Sequence, residues 1–357
     1  MLKRLISFSF FLCVAMVAFA QERTSPITFS GYLETYYSYD AGNPQDHERP
    51  GFLYNHKRHN EVNINLGYLK AAYAQDNVRG NFALMAGTYA EYNLAAEQGL
   101  LRNIFEANAG FKLLKKHNLW LDAGVMPSHI GFESAVGKDC WNLTRSLAAE
   151  NSPYYESGVK LGYTTPNDKL YIAGMVLNGW QRIRRINYQQ TPAFGTQLTV
   201  KPSSDFTFNW STFVGNEFAG SDQQWRIFNN FYTVWQATPK FGLTAGVDVG
   251  FQELSHDNGY DSWVAPILMV RYSPSEHWRV AARAEYYADE NRVIVSAGDR
   301  NGFQTAGFSL NLDYLPKDNV MLRFEGKAYD SKDEIFILDE RSSRTNFAFT
   351  TALAISF

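Results

Sequence analysis

The chain has 357 residues, with 33 Lys plus Arg against 36 Asp plus Glu and a formal net charge of −3, a mildly acidic balance that argues against nucleic acid as a partner. Mean hydropathy is −0.32, and beyond the first twenty residues no apolar run approaches the roughly 18–20 residues a spanning helix needs, which excludes a membrane helix from the mature chain. Aromatic content is high, with 21 Tyr and 26 Phe, as in a large core or at a membrane interface where a ring is half apolar and half wet.

At the N-terminus, Lys3 and Arg4 precede an apolar run from Leu5 to Phe19, and Ala18-Phe19-Ala20 stands before Gln21. Basic start, short apolar run and small-x-small site predict a cleaved signal peptide over 1–20 and a single mature domain over 21–357. Residue 21 is not Cys, so no lipoprotein is expected. Cleavage removes Lys3 and Arg4 from the 33 basic residues, and the mature charge becomes −5. Cys13 leaves with the signal. Cys140 alone cannot form an internal disulfide.

Period-2 alternation, the pattern of half-buried strands, runs through the mature chain. It predicts strands near 27–39, 61–74, 78–91, 104–114, 118–126, 155–164, 168–179, 193–201, 205–216, 224–237, 241–253, 262–272, 277–288, 303–314, 319–329 and 346–357. In 241–252, Phe241, Leu243, Ala245, Val247, Val249 and Phe251 share one face; in the last strand Phe347, Phe349, Leu353, Ile355 and Phe357 do. In the second strand Lys70 interrupts the face set by Val62, Ile64 and Leu66, and a bulge near Tyr68 would restore alternation through Leu69, Ala71 and Tyr73.

Connections alternate in length. Short turns are expected at 75–77, 115–117, 165–167, 202–204, 238–240, 273–276 and 315–318, where Pro fixes φ and Asn, Asp or Ser bond their own backbone. Longer polar loops are expected near 40–60, 92–103, 127–154, 180–192, 217–223, 254–261, 289–302 and 330–345. Tight turns on one side and long loops on the other are the asymmetry of an up-and-down transmembrane β-barrel, with turns periplasmic and loops extracellular. Both termini then lie on the periplasmic side, which requires an even strand count; alternation predicts about sixteen.

The charges sit on one face of each strand. Trp278, Val280, Ala282, Ala284 and Tyr286 oppose Arg279, Arg283 and Glu285; Val320, Leu322 and Phe324 oppose Arg323, Glu325 and Lys327. A soluble sandwich shows the same alternation, so aromatic spacing carries the distinction. Trp225 and Trp235 are ten residues apart on one face, as are Phe241 and Phe251. Ten residues at about 3.3 Å span about 33 Å along a strand, and a tilt of roughly 40° projects this to about 25 Å, the height of a barrel's apolar band. Trp278 with Tyr286 and Tyr163 with Tyr171 fit the same belts. Sixteen closed strands leave an aqueous lumen, and closure is obligatory because hydrocarbon satisfies no open edge.

The mature chain also resembles the bacterial outer-membrane β-barrel porins of the OmpL-like type. The resemblance rests on Gly31-Tyr32 in the first strand, Ala123-Gly124-Val125-Met126-Pro127 before a long loop, and Ser157-Gly158-Val159-Lys160-Leu161-Gly162-Tyr163. It implies a passive channel for small hydrophilic solutes in the outer membrane, with no catalytic residues, cofactor or metal. It also implies that the terminal Phe357 is the signal read by the barrel-assembly machinery, and homo-oligomers are expected by analogy with general porins. By the same resemblance the longest loop folds into the lumen, where Glu133, Lys138, Asp139, Arg145 and Glu150 would face Arg279, Arg283, Arg323 and Lys327 across a constriction with a transverse field. A solvated surface loop remains the alternative.

His47, His56 and His59 cluster in the first loop without a completing carboxylate or Cys pattern, so no metal site is assigned. Two other functions stay open. An adhesive or structural barrel would use its long loops to bind a partner. A barrel hydrolase would need a Ser-His or acid-His pair, and neither His277 nor His117 has a convincing Ser partner in sequence.

Overall fold

The computed structural model describes residues 25–218, 223–255, 258–338 and 340–357. The expected signal peptide lies outside the described residues. Sixteen antiparallel strands form one closed barrel: β1 (Ile27–Asp40), β2 (Val62–Gln75), β3 (Val78–Ala86), β4 (Ile104–Lys112), β5 (Asn118–Pro127), β6 (Tyr155–Thr164), β7 (Leu170–Leu177), β8 (Ala193–Ser203), β9 (Phe206–Asn216), β10 (Trp225–Trp235), β11 (Phe241–Glu253), β12 (Tyr260–Tyr272), β13 (Trp278–Asp289), β14 (Phe303–Lys317), β15 (Val320–Ser331) and, at the C-terminus, β18 (Thr345–Ser356). The remaining pair, β16 (Phe336–Leu338) and β17 (Arg341–Ser343), is a small hairpin within the last long loop, which the alternation did not foresee. Each barrel strand pairs with its sequence neighbour, and β1 closes on β18 in the register Tyr32↔Ser356 to Asp40↔Ala348.

Closure lets every strand satisfy its backbone within the ring, the condition for crossing hydrocarbon. The burial pattern is inverted relative to a soluble domain. Leu310 and Phe308 on β14 are 63% and 57% exposed, whereas Arg323, Glu325 and Lys327 on the adjoining β15 are 0–1% exposed. Outward Phe241, Phe251, Trp235 and Trp278 are likewise exposed, as the aromatic spacing requires of a lipid-facing band. Tyr171 departs from expectation. It pairs with Thr199 and lies on the inward face, its hydroxyl over Gly162, while its neighbour Ile172 faces out.

Three local expectations are corrected. The third strand stops at Ala86 instead of 91, because Gly87 takes φ +120 and a short helix, α1 (Thr88–Asn93), follows. A Cβ at Gly87 would lie 2.5 Å from the Asn65 carbonyl oxygen, so only glycine fits this corner. The β2 bulge is at Asn65 instead of Tyr68. Glu34 pairs with Leu66 and Thr35 with Ile64, which turns Leu66 inward while Val62, Ile64 and Leu69 stay outward. Finally, β8 and β14 run through Pro202 and Pro316 by register shifts before the turns at Ser204-Asp205 and Asp318-Asn319. Proline within a strand is tolerated at such a bulge because no ladder donor is needed there.

Candidate channel lumen and its in-folded loop

Inward residues of β9–β15 present hydrogen-bonding side chains to one another and to the segment 128–154, the longest loop. A loop taken away from solvent must find partners for its backbone groups, and the wall supplies them. Asn230 Oδ1 accepts from Gly131 N (3.0 Å), Asn311 Oδ1 from Leu143 N (3.0 Å), Glu325 Oε2 from Thr144 N (2.6 Å) and Glu285 Oε2 from Leu147 N (2.5 Å). Loop carbonyls are met by cations. Arg323 donates to Gly137 O (2.6 Å) and Cys140 O (3.0 Å), Arg283 to Thr144 O (2.7 Å) and Lys327 to Arg145 O (2.9 Å). The loop therefore lies inside the barrel, against the wall from β8 around to β1.

Small residues on the wall make the space it occupies. A Cβ at Gly195 would meet the His129 ring at 2.9 Å, and one at Gly242 would meet Trp141 at 2.8 Å. Within the loop, Ser146 caps the short helix α2 (Leu147–Glu150) by accepting from Ala149 N, and its hydroxyl also bonds Glu133.

The nine charged residues singled out from sequence fall into two groups. Glu133, Arg145, Glu150, Arg283, Arg323 and Lys327 have buried side chains that make direct contacts within the protein, and Glu133 also lines a cavity between the loop and β2–β4. Glu133 lies 3.4 Å from Arg283, which also pairs with Glu325 at 3.2 Å, and Lys327 pairs with Glu285 at 2.8 Å. Arg145 turns back into its own loop and donates to the carbonyls of Ser134, Leu143 and Ala135. Glu150 accepts from Tyr54 N and Asn55 N and so ties this loop to the first. Burial pushes the Glu133 carboxyl above its usual value despite Arg283 beside it. Lys138, Asp139 and Arg279 are half-buried or exposed and lie towards the periplasmic turns.

Alternation on other strands carried signals that the sequence reading did not use. Inward Lys70 pairs with Glu106, and Arg79 pairs with Asp122 while stacking on Trp120 at 4.1 Å. Arg79 and Lys70 keep 40% and 26% of their side chains exposed, in contrast to the sealed pairs under the loop. A cavity of about 370 Å³ lies between the loop and β2–β4, lined among others by Tyr68, Lys70, Met85, Glu106, Phe132 and Tyr155.

His129 was also missed. Its Nδ1 is 2.8 Å from Glu156 and its Nε2 is 2.8 Å from Thr212 O. Burial opposes its protonation, but the Glu156 carboxylate outweighs this and raises its pKa. The first-loop histidines serve protein partners: His56 bonds Glu34, and His59 Nδ1 accepts from Asp40 N.

Comparison with solved structures gives the same architecture at low identity. The anion-selective porin from Comamonas acidovorans matches with a TM-score of 0.60 and 9% identity, over 93% of this chain and 99% of that one. The outer membrane channel DcaP of Acinetobacter baumannii matches with 0.59 and 10%, over 93% and 97%. OmpT of Vibrio cholerae in its trimer form matches with 0.58 and 10%, over 93% and 99%. Among curated proteins no sequence relative matches. At the family level, residues 26–357 match the model described as "Putative beta-barrel porin-2, OmpL-like". With the family matching the whole barrel, from its first strand to the terminal Phe357, the chain belongs to the OmpL-like β-barrel porins of the bacterial outer membrane.

Proposed function

We propose that this porin passes small hydrophilic solutes along a restricted route between the in-folded loop and the wall formed by β2–β7. The observation that carries this reading is the unequal sealing of the lumen. Loop contacts cover the wall from β8 to β1 and meet β6 at Glu156 through His129, whereas Lys70, Arg79 and Lys160 on β2, β3 and β6 remain partly exposed. In this reading Glu133, Arg145, Glu150, Arg283, Arg323 and Lys327 hold the constricting segment in place. Lys138, Asp139 and Arg279 face the solute. The chain performs no catalysis, binds no cofactor, and is exported by cleavage after Ala20. Phe357, exposed beside Gly31 at the barrel seam, is the residue offered to the assembly machinery. Homo-oligomerisation is tested by cross-linking in native membranes.

The direct test is swelling of liposomes carrying the refolded protein in a series of neutral sugars. Uptake that falls steeply with sugar size supports the reading; liposomes as tight as protein-free controls sink it. Mass spectrometry of the mature chain from membranes should find Gln21 as its first residue.

A further inference from the structure

Between the loop tip and the periplasmic turns, the inward charges do not balance. Three cations there have carboxylate partners: Lys70 with Glu106, Arg79 with Asp122, and Arg323 with Asp313. Lys138, Lys160, Arg271 and Arg279 have none within 4 Å among the described residues. Against them stands Asp139, exposed at the loop tip.

Arg271 and Arg279 form the densest part of this excess. Arg271 sits opposite Ala281 in the β12–β13 register, so Arg279 is its diagonal neighbour on the same inward face. Such positions lie about 7–8 Å apart, within reach of one small ligand for two long side chains. The Arg271 guanidinium lies over the Trp141 ring at 4.5 Å, and Gly242 leaves room for that ring. Its Nη2 donates to Gln236 at 3.3 Å, while its Nε is buried with no acceptor. Arg279 faces Asp313, but both oxygens of Asp313 are taken by Arg323, at 2.7 and 3.2 Å, and Oδ1 also accepts from Asn311. Two guanidinium forks with free donors, one propped on an indole, match the geometry of a bidentate oxyanion.

We propose that the periplasmic mouth is an oxyanion-binding selectivity site built on Arg271 and Arg279, with Lys138 and Lys160 adding field, and that it favours small solutes carrying carboxylate or phosphate. The site rests on the channel reading above for its role in permeation, but not for binding. Two measurements separate these. The first is the zero-current potential of the protein in planar bilayers under a tenfold KCl gradient. The second is calorimetric titration of the detergent-solubilised protein with inorganic phosphate and, separately, succinate.

The wild type should pass chloride several-fold better than potassium and bind at least one of the two oxyanions; which one binds identifies the solute class. Arg271→Gln/Arg279→Gln should bring the permeability ratio towards one and weaken binding at least tenfold. Lys317→Gln, at the exposed end of β14, should change neither. Arg271→Lys/Arg279→Lys, which keeps charge but loses the fork, should retain anion preference with weaker binding, and it serves if the glutamine pair does not fold. Channels that prefer potassium, or that keep their preference in the glutamine pair, overturn the site and leave the channel standing. Binding without conductance overturns the channel and leaves the site. Absence of both overturns both.

Discussion

Replacing Arg323 with Met tests what seats the loop in the lumen. The guanidinium is fully buried, pairs with Asp313 at 2.7 Å and donates to the carbonyls of Gly137, Cys140 and Trp141. Met fills much of the same space without the charge. Asp313 is then left with Asn311 as its remaining side-chain donor, at 2.8 Å, and three loop carbonyls lose theirs. Breaking a buried pair by removing one partner costs about 3–5 kcal/mol. The β14–β15 and β15–β18 ladders are untouched, so the cost falls mainly on the seating of the loop. At about 1.4 kcal/mol per tenfold, some 3 kcal/mol raises the unseated fraction roughly a hundredfold. Arg323→Met should therefore refold to a barrel of ordinary heat resistance in detergent gels, while single-channel records become noisier and step to larger conductance. Adding Asp313→Asn removes the stranded charge and should return the records part of the way, with a measurable coupling between the two sites. A single variant with wild-type conductance and noise refutes the anchoring role.

Other consequences follow from the same geometry. His129 is held above its usual pKa by Glu156, so its contribution to loop seating is complete below about pH 6.5 and is lost as pH rises through its folded value. Channel noise should accordingly grow as pH rises above about 6.5, and His129→Gln should abolish that dependence. Leu310 faces outward near mid-strand, and Leu310→Arg should cost about 2–4 kcal/mol in urea titrations in lipid vesicles; a change below about 1 kcal/mol would mean this face does not meet hydrocarbon. Gly124 has φ +128, and a Cβ there would lie 2.2 Å from Ala107 O, so Gly124→Ala should lower the unfolding temperature by straining the β4–β5 pairing.

Strands were legible because a barrel strand has one lipid face and one lumen face, and that contrast writes a period of two into every segment. The signal fails where the backbone leaves the ladder. Asn65 adds one residue to β2 and inverts everything before it, yet Asn is ordinary on an inward face, so the bulge could be placed only within a few residues. The expected third strand runs on to 91 although the chain is helical from Thr88, and Gly87, with φ +120, marks the break. Charges on Arg283, Arg323 and Lys327 were readable as inward. Their partners were not, since inwardness says nothing of how deep a loop reaches. That depth depends on Gly195 and Gly242 opening the wall to His129 and Trp141, contacts separated by 66 and 101 residues in sequence. Tyr171 shows the converse: an aromatic beside a turn fits either face, and only its pairing with Thr199 decides.

The central claim is a water-filled ring narrowed by a loop held within it. Comparing single-channel conductance of the full protein with that of a variant in which 131–149 is replaced by a short Gly-Ser link tests it most directly. Small, discrete steps for the full protein and several-fold larger ones for the variant are predicted. Equal conductance from both, or none from either, would contradict it.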